Sequence, residues 1–245
     1  MHKEQQLLPF ISNAKLFLAV ETVLTRIKNA TKDDRDFYKN SVDPFSAIFD
    51  ASSAGISLKD WIGQEKARQR QKTLQNAVGE FHEVIIGSVT GWENLPVGKI
   101  IDVENIERKI IAEIKNKYNT TKGSDKKGLY DNLKFALKGE YKGYIAYYVE
   151  IIPKSGAIYN KTFKPSDNKT KVNRKSNKNI RRIDGSSFYE IVTGDKNALE
   201  ELYNVLPTAI CKIQNGNKSH DYSLEPLFHK LYNKAFKNNK WVTLA

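Results

Sequence analysis

The residues best suited to chemistry lie in the segment IIDVENIERKIIAEIKNK, residues 100–117. Read as a β-strand, its second half alternates with period two, so Glu113, Lys115 and Lys117 share one face while Ala112 and Ile114 face the other way. A Glu and a Lys two apart, flanked by Ile110, Ile111, Ala112 and Ile114, project together from a partly buried strand. Burying charge is costly unless the charge is paired or binds an ion. Asp102 ends another apolar stretch, Ile100-Ile101, and a short hairpin between the two strands brings Asp102 toward Glu113.

Two carboxylates and a lysine in that arrangement suit phosphodiester chemistry. Asp102 and Glu113 are hard oxygen ligands of the kind Mg²⁺ prefers, and Mg²⁺ usually keeps several waters or substrate phosphate oxygens besides. Such a metal polarises a phosphate and lowers the pKa of a bound water. Lys115 would position or help deprotonate that water, or balance charge building on the phosphate. The same pair on a strand also has a plain reading, a solvated face with a cross-strand ion pair.

The chain has 245 residues, enough for one generous domain or two small ones, and long enough to bury a core unaided. Lys+Arg 40 against Asp+Glu 28 gives a net charge of +12, which favours a polyanionic partner. Of the 40 basic residues, 32 are Lys and 8 are Arg, a bias that AT-rich codon usage also explains. The lone Cys211 excludes an intrachain disulfide framework, a Cys-rich zinc site and a CxxC redox pair, and the four scattered His residues argue against a His-rich metal site. Cys211 itself reads as a small buried hydrophobe. No apolar run has the length of a membrane span, and the N-terminus lacks a signal-peptide pattern, so a cytoplasmic protein with no membrane partner is expected. There is no Ser-His-Asp set and no P-loop.

The elements that must position these residues follow from pattern. Residues 5–30 read as a helix with Pro9 near its start, and Asp43-Pro44 opens a second. Ser57 to Asp60 leads into a long helix that puts Leu74, Val78, Phe81 and Ile85 on one face and ends near Gly87 and Gly91. Strands are expected over 97–103 and 109–118, with 104–107 as the turn, and a helix over 127–138. GYIAYYVEII, residues 143–152, is the clearest strand, stopped by Pro153, with Tyr144, Tyr147 and Tyr148 in the core; Trp92 also reads as packing. Residues 160–182 form a basic loop with nine Lys/Arg against one acid, followed by a turn at Asp184-Gly185, order over 186–193, and helices through Leu199, Leu202 and Leu206 and over 225–236. The expected fold class is α/β, a mixed central β-sheet flanked by helices with additional N- and C-terminal helices, in one domain over 1–245. Within it, 1–73 is an N-terminal helical region, 74–155 the core, 156–185 the basic loop and 186–245 a C-terminal helical region.

Asp102, ten intervening residues, then Glu113-Ile-Lys115 resembles the signature of the PD-(D/E)xK nuclease superfamily, with Ile101 where a proline usually precedes the aspartate. Four further blocks in order, GEFHEVIIGSVTGWENL, AEIKNKYNTTKG, FKPSDNKT and RRIDGSSFYEIVTG, resemble type II restriction endonucleases that cut GGNCC-type sites. That resemblance spans about residues 79–194 and implies a restriction-endonuclease-like core and a homodimer. It also implies Mg²⁺ as cofactor, a palindromic double-stranded DNA substrate with 5′-phosphate and 3′-hydroxyl products, and a separate protecting methyltransferase. A glutamate on the helix before the first strand often joins the metal cluster in such enzymes. Glu83 and Glu80 are the candidates, Glu83 being favoured, and Glu104 is a fallback for Asp102.

The metal set is therefore expected to be Asp102, Glu113 and Glu83, with Lys115 completing the catalytic set. Lys117, Asn119, Thr120 and Lys122 follow the catalytic pair and suit phosphate contacts. Asp167, Asn168, Lys171, Arg174, Arg181 and Arg182 are the candidates in the basic loop, where arginine suits guanine O6 and N7 and an Asp can accept from cytosine N4. Two rival readings use the same residues: another PD-(D/E)xK nuclease acting in repair or junction resolution, and a non-catalytic DNA-binding protein in which Glu113 and Lys115 are a surface pair.

Overall fold

The computed structural model describes residues 5–30, 37, 41–96, 98–166, 172–214 and 226–236. Its helices are α1 (Asn13–Asn29), α2 (Pro44–Ala54), α3 (Leu58–Gly87), α4 (Gly123–Lys138), α5 (Gly185–Thr193), α6 (Ala198–Ile213) and α7 (Pro226–Phe236). Its strands are β1 (Glu93–Asn94), β2 (Val103–Asn105), β3 (Ile110–Lys117), β4 (Ile145–Ile152), β5 (Asn160–Thr162) and β6 (Ile180–Asp184). They form one mixed sheet in the order β1-β2-β3-β4-β6-β5. The β3–β4 and β4–β6 pairs are parallel and the others antiparallel. The expected α/β class with a helix-flanked mixed sheet is what the chain adopts.

Helices cover both sheet faces, and this is why β4 reads as an apolar run broken by Glu150, buried from Ala146 to Ile151. Side-chain alternation splits the core in two. Ile110, Ala112, Ile114, Tyr147, Val149, Ile151 and Ile183 pack with α1, α3, α5 and α6 in the larger cluster. Ile111, Ala146, Tyr148 and Ile180 pack against Tyr130, Leu133 and Ala136 of α4 in the smaller one. Trp92 is buried edge-on against Phe188, and Tyr147 and Tyr148 are core, as expected; Tyr144 precedes β4 and is half-buried.

The local chemistry explains where elements begin and end. Ser57 caps α3, its hydroxyl accepting from Asp60 N–H at 3.1 Å and donating to the Asp60 carboxylate at 2.7 Å. At the other end Gly87 is required by close approach, since a Cβ there would lie 2.1 Å from Asn94 Oδ1 on β1. Gly185 is required in the same way, because its Cβ would meet Ile151 O of β4 at 2.4 Å.

Several expected boundaries move. The first helix starts at Asn13, not residue 5, because Ser12 caps it; Pro9 lies in a turn ahead of it between the bridged Leu8 and Ile11. The strand expected over 97–103 is instead β2, Val103–Asn105, so the strand takes up part of the expected turn and the turn itself falls at 106–109. Gly98, in the left-handed region at φ 97°, breaks the extended run before it; Val97 lies outside the described residues. The basic loop is shorter than expected at both ends, where β5 and β6 pair with each other. Asp184 ends β6 and caps α5, accepting from Ser187 N–H at 3.0 Å, so the expected turn is a strand-to-helix junction. Cys211 is half-buried on α6, more open than expected. Glu225, the expected first residue of the last helix, lies outside the described residues, which resume at Pro226. Among the described residues no helix is long and apolar enough to cross a membrane.

Candidate active site

The β2–β3 hairpin sets the site. Its register pairs Val103 with Ala112, and Asp102 N–H donates to Ala112 O at 3.0 Å, so Asp102 stands across from Glu113. The ladder stops there. The Asp102 carboxylate takes over by accepting the Ile114 N–H at 2.6 Å, a side chain standing in for the missing strand partner. The hairpin geometry expected from sequence is thereby realised.

Glu113 and Lys115 follow on the face turned toward α4. Lys115 Nζ lies 2.6 Å from Glu113 Oε1 and 4.0 Å from Asp102 Oδ2, all three side chains retaining some exposure. They open into a cleft of about 770 Å³. Thr120, Thr121, and the α4 residues Asp125 and Asn132 line it opposite them, and Lys99 and Ile100 stand at its rim.

The electrostatics are those of crowded, half-desolvated acids. Burial pushes Glu113 up to about 7, aided by the Asp102 charge and opposed by Lys115. Asp102 is also raised, by burial first, against the pull of Lys115 and the Ile114 N–H. Burial lowers Lys115, but the Glu113 and Asp102 carboxylates outweigh it and hold the ammonium above its ordinary value. Glu83, on α3, is pushed up to about 7 by burial and then by Asp102, with Lys115 opposing and Glu80 and Glu113 adding to it. It therefore belongs to the electrostatic cluster. Glu80 instead forms an exposed ion pair with Arg26 of α1.

A divalent cation fits the donor set. Asp102 and Glu113 offer hard oxygens, burial raises both above their ordinary values, and the Lys115 ammonium already stands near both as a stand-in cation. Two carboxylates suffice where substrate phosphate and water complete the shell. Among the described residues no group of three or more His, Cys, Asp and Glu side chains closes on one point, so Glu83 borders the pair without joining a preformed cage.

The remaining candidates are dispersed. Thr120 lines the cleft, and its hydroxyl donates to Lys117 O at 2.7 Å. Asn119 and Lys122 are exposed in the same loop, Lys122 immediately preceding α4. Lys117 ends β3 and borders a second, apolar cavity under α1, α3 and α6. Glu104 lies a rung away, bonded to the Tyr141 hydroxyl and absent from the cleft wall. Arg174 pairs with Asp131 of α4 at 2.6 Å. Arg181 and Arg182 sit on β6, not in the loop: Arg181 donates to Asn160 Oδ1 at 2.6 Å and Asn160 O at 2.7 Å, and Arg182 pairs with Glu150 at 2.6 Å. Asp167, Asn168 and Lys171 lie outside the described residues.

Sequence reasoning missed Asp125, Asn132 and Lys99. Asp125 lies in the first turn of α4, which begins at Gly123, four residues before the expected start, and Asn132 lies two turns further along the same helix. His82, beside Glu83, turns the other way, with Nδ1 2.9 Å from the Tyr189 hydroxyl, and burial lowers it to about 4, leaving it neutral.

Asp102, just ahead of β2, and Glu113-x-Lys115 on β3 meet at the open end of a mixed sheet, a donor set suited to a metal-dependent phosphodiesterase. The chain matches the family model of the Eco47II restriction endonuclease over residues 8–215 and belongs to that family. It is 47% identical over 209 residues to the type II restriction enzyme Eco47II of Escherichia coli, covering 83% of this chain and 87% of that relative. It is 34% identical over 248 residues to the type II restriction enzyme Sau96I of Staphylococcus aureus, covering 96% and 92% respectively. No solved structure matches. The chain is accordingly an enzyme, a type II restriction endonuclease, of a class that acts on double-stranded DNA with a divalent metal ion.

Proposed function

We propose that the cleft between β3 and α4 hydrolyses both strands of duplex DNA at a short palindromic G/C-rich site of the GGNCC type. In this reading the metal is Mg²⁺, the products carry 5′-phosphate and 3′-hydroxyl ends, and the enzyme serves restriction alongside a separate methyltransferase. The observation that carries the proposal is the convergence of the Asp102 and Glu113 carboxylates on the Lys115 ammonium at the cleft mouth.

Asp102 and Glu113 would hold the metal, with Glu83 adding negative charge beside them. When bound, such a cation neutralises charge on the scissile phosphate and acidifies a water. Lys115 would orient a water at the scissile phosphate and balance charge building there. Lys117, Asn119, Thr120 and Lys122 are the proposed phosphate contacts. Asp167, Asn168, Lys171, Arg174, Arg181 and Arg182 are the proposed groove-side set. Arg174 and Arg181 would first have to leave the partners they hold in the free chain, whereas Arg182 would keep its pair with Glu150 and reach DNA only through Nη1, which the bonds to Glu150 do not use. A second copy supplies the second active site a palindrome needs, so the enzyme acts as a homodimer.

Digestion of unmethylated phage DNA by the purified protein, with Mg²⁺ and with EDTA, tests this. Discrete fragments that require the metal, with ends ligatable without phosphorylation, are expected. A metal-dependent smear removes the site preference, and intact DNA at all divalent metals removes the nuclease reading. Sedimentation of the protein–duplex complex as one chain per site removes the dimer.

A further inference from the structure

The carboxylate of Glu150 is fully buried beside the cleft without lining it. Glu150 lies on β4, its Cα paired with Lys115 on one side and with Asp184 on the other. Its Oε2 accepts from Arg182 Nη2 at 2.6 Å and Nε at 3.0 Å, and from the Tyr159 hydroxyl. Its Oε1 accepts from Lys126 Nζ at 3.2 Å. Burial pushes Glu150 up, but the Arg182 and Tyr159 hydrogen bonds and the two cations hold it below the ordinary carboxylate value. It is an ionised group with a full set of donors, at a site where an unpaired charge would be strongly destabilising.

Lys126 is the link outward. It sits in the first turn of α4, beside Tyr148 on the sheet, and its ammonium also donates to Tyr118 O at 3.1 Å. Tyr118 directly follows β3, and its N–H donates to Ile152 O of β4 at 3.0 Å. One ammonium therefore joins three elements: the end of β3, the buried carboxylate of β4 and the start of α4. Between Tyr118 and α4 runs the loop carrying Thr120 and Thr121, and α4 carries Asp125 and Asn132. These form the wall of the cleft opposite Asp102, Glu113 and Lys115. Helix α4 has no side-chain N-cap, so this tie is what holds its first turn to the sheet.

We infer that Lys126 and Glu150 are positioning residues, a clamp that fixes the distance between the phosphate-facing wall, Thr120 to Asn132, and the carboxylates of β3. This rests on the nuclease reading of the cleft. Arg182 and Tyr159 anchor the clamp in the sheet. Its role is to hold a geometry in which a displacement of about 1 Å costs on the order of 10²-fold in rate.

The test is Lys126→Met, which replaces the ammonium over the Tyr148 ring with an uncharged side chain of similar length and leaves Glu150 bonded to Arg182 and Tyr159. The full chain is compared with wild type in three measurements. Single-turnover cleavage of a bound duplex in Mg²⁺ is expected to slow by about 10²-fold. The duplex Kd in Ca²⁺ and its salt dependence stay at wild-type values. Hydrogen exchange rises at residues 118–122 and not in β4. Lys126→Arg, which can span the same two acceptors, restores most of the rate. A weaker Kd with a salt slope lower by about one and an unchanged bound-state rate would make Lys126 a phosphate contact and overturn the clamp. So would wild-type rate and exchange in Lys126→Met. A wild-type protein that cleaves no DNA overturns the nuclease reading instead, and the exchange measurement then still decides whether the tie holds the loop.

Discussion

The two faces of β3 are built from the same eight residues and do opposite work. Ile110, Ala112 and Ile114 point into the larger core and are at most 6% exposed. Ile111 starts the other face in the same way, but Glu113 and Lys115 follow it into an open cleft. The first face is closed by α3 and α5, and His82 of α3 is held neutral there against Tyr189 of α5. The second is left open where β2 stops after three residues and the Asp102 carboxylate, not a strand, completes the ladder. A sheet can carry charge where pairing ends and water enters. One residue of register decides which side chains meet it.

The comparison breaks most sharply through substitutions that touch one face only. Glu113→Gln and Asp102→Asn keep the shape of the α4 side and remove its negative charge. Single-turnover cleavage is expected to fall by about 10³-fold, with a thermal midpoint in EDTA that does not fall. Ile114→Ala, one residue along, should do the reverse. It costs about 2–5 kcal/mol in denaturant unfolding, while the folded fraction cleaves within a few-fold of wild type. If Ile114→Ala and Glu113→Gln gave the same phenotype, the faces would not be functionally separate.

A third test uses pH. Glu83 and Glu113 have folded pKa values near 7, above their ordinary 4.5, so the folded state binds protons more tightly than the unfolded chain. Their contribution to stability is full below about pH 4.5 and is lost as pH rises through 7. The midpoint of the metal-free protein should therefore fall between pH 5 and 8. Added Mg²⁺ should raise it more at pH 8 than at pH 5.5, and Glu83→Gln should flatten the slope. A midpoint that rises over that range in EDTA would contradict the crowding of these acids. The smallest effect is expected at Glu80, whose exposed pair with Arg26 should be worth under about 1 kcal/mol and leave cleavage unchanged in Glu80→Ala.

The acid–lysine cluster was legible in the sequence because period-two alternation and one short hairpin suffice to bring Asp102, Glu113 and Lys115 together. Helix periodicity left Glu80 and Glu83 as a pair, and only the packing of α3 on the sheet separates an acid in the cluster from an acid at the surface. Arg181 and Arg182 were read into a loop because IRRID offers only two apolar positions amid basic residues, and edge pairing with β5 makes it a strand. The first turn of α4 was missed because Gly123, Ser124 and Asp125 are poor helix formers, while the tie from Lys126 to Glu150 and Tyr118 lies with partners on other elements. A buried ion pair between residues 24 apart leaves no local pattern.

The most direct test of the active site is single-turnover cleavage of a GGNCC-containing duplex by Lys115→Ala beside wild type, with duplex binding measured in Ca²⁺. The predicted result is a folded protein that binds the duplex and cuts it at least about 10²-fold more slowly. Cleavage by Lys115→Ala at the wild-type rate would contradict the assignment of the β3–α4 cleft as the place where the phosphodiester bond is broken.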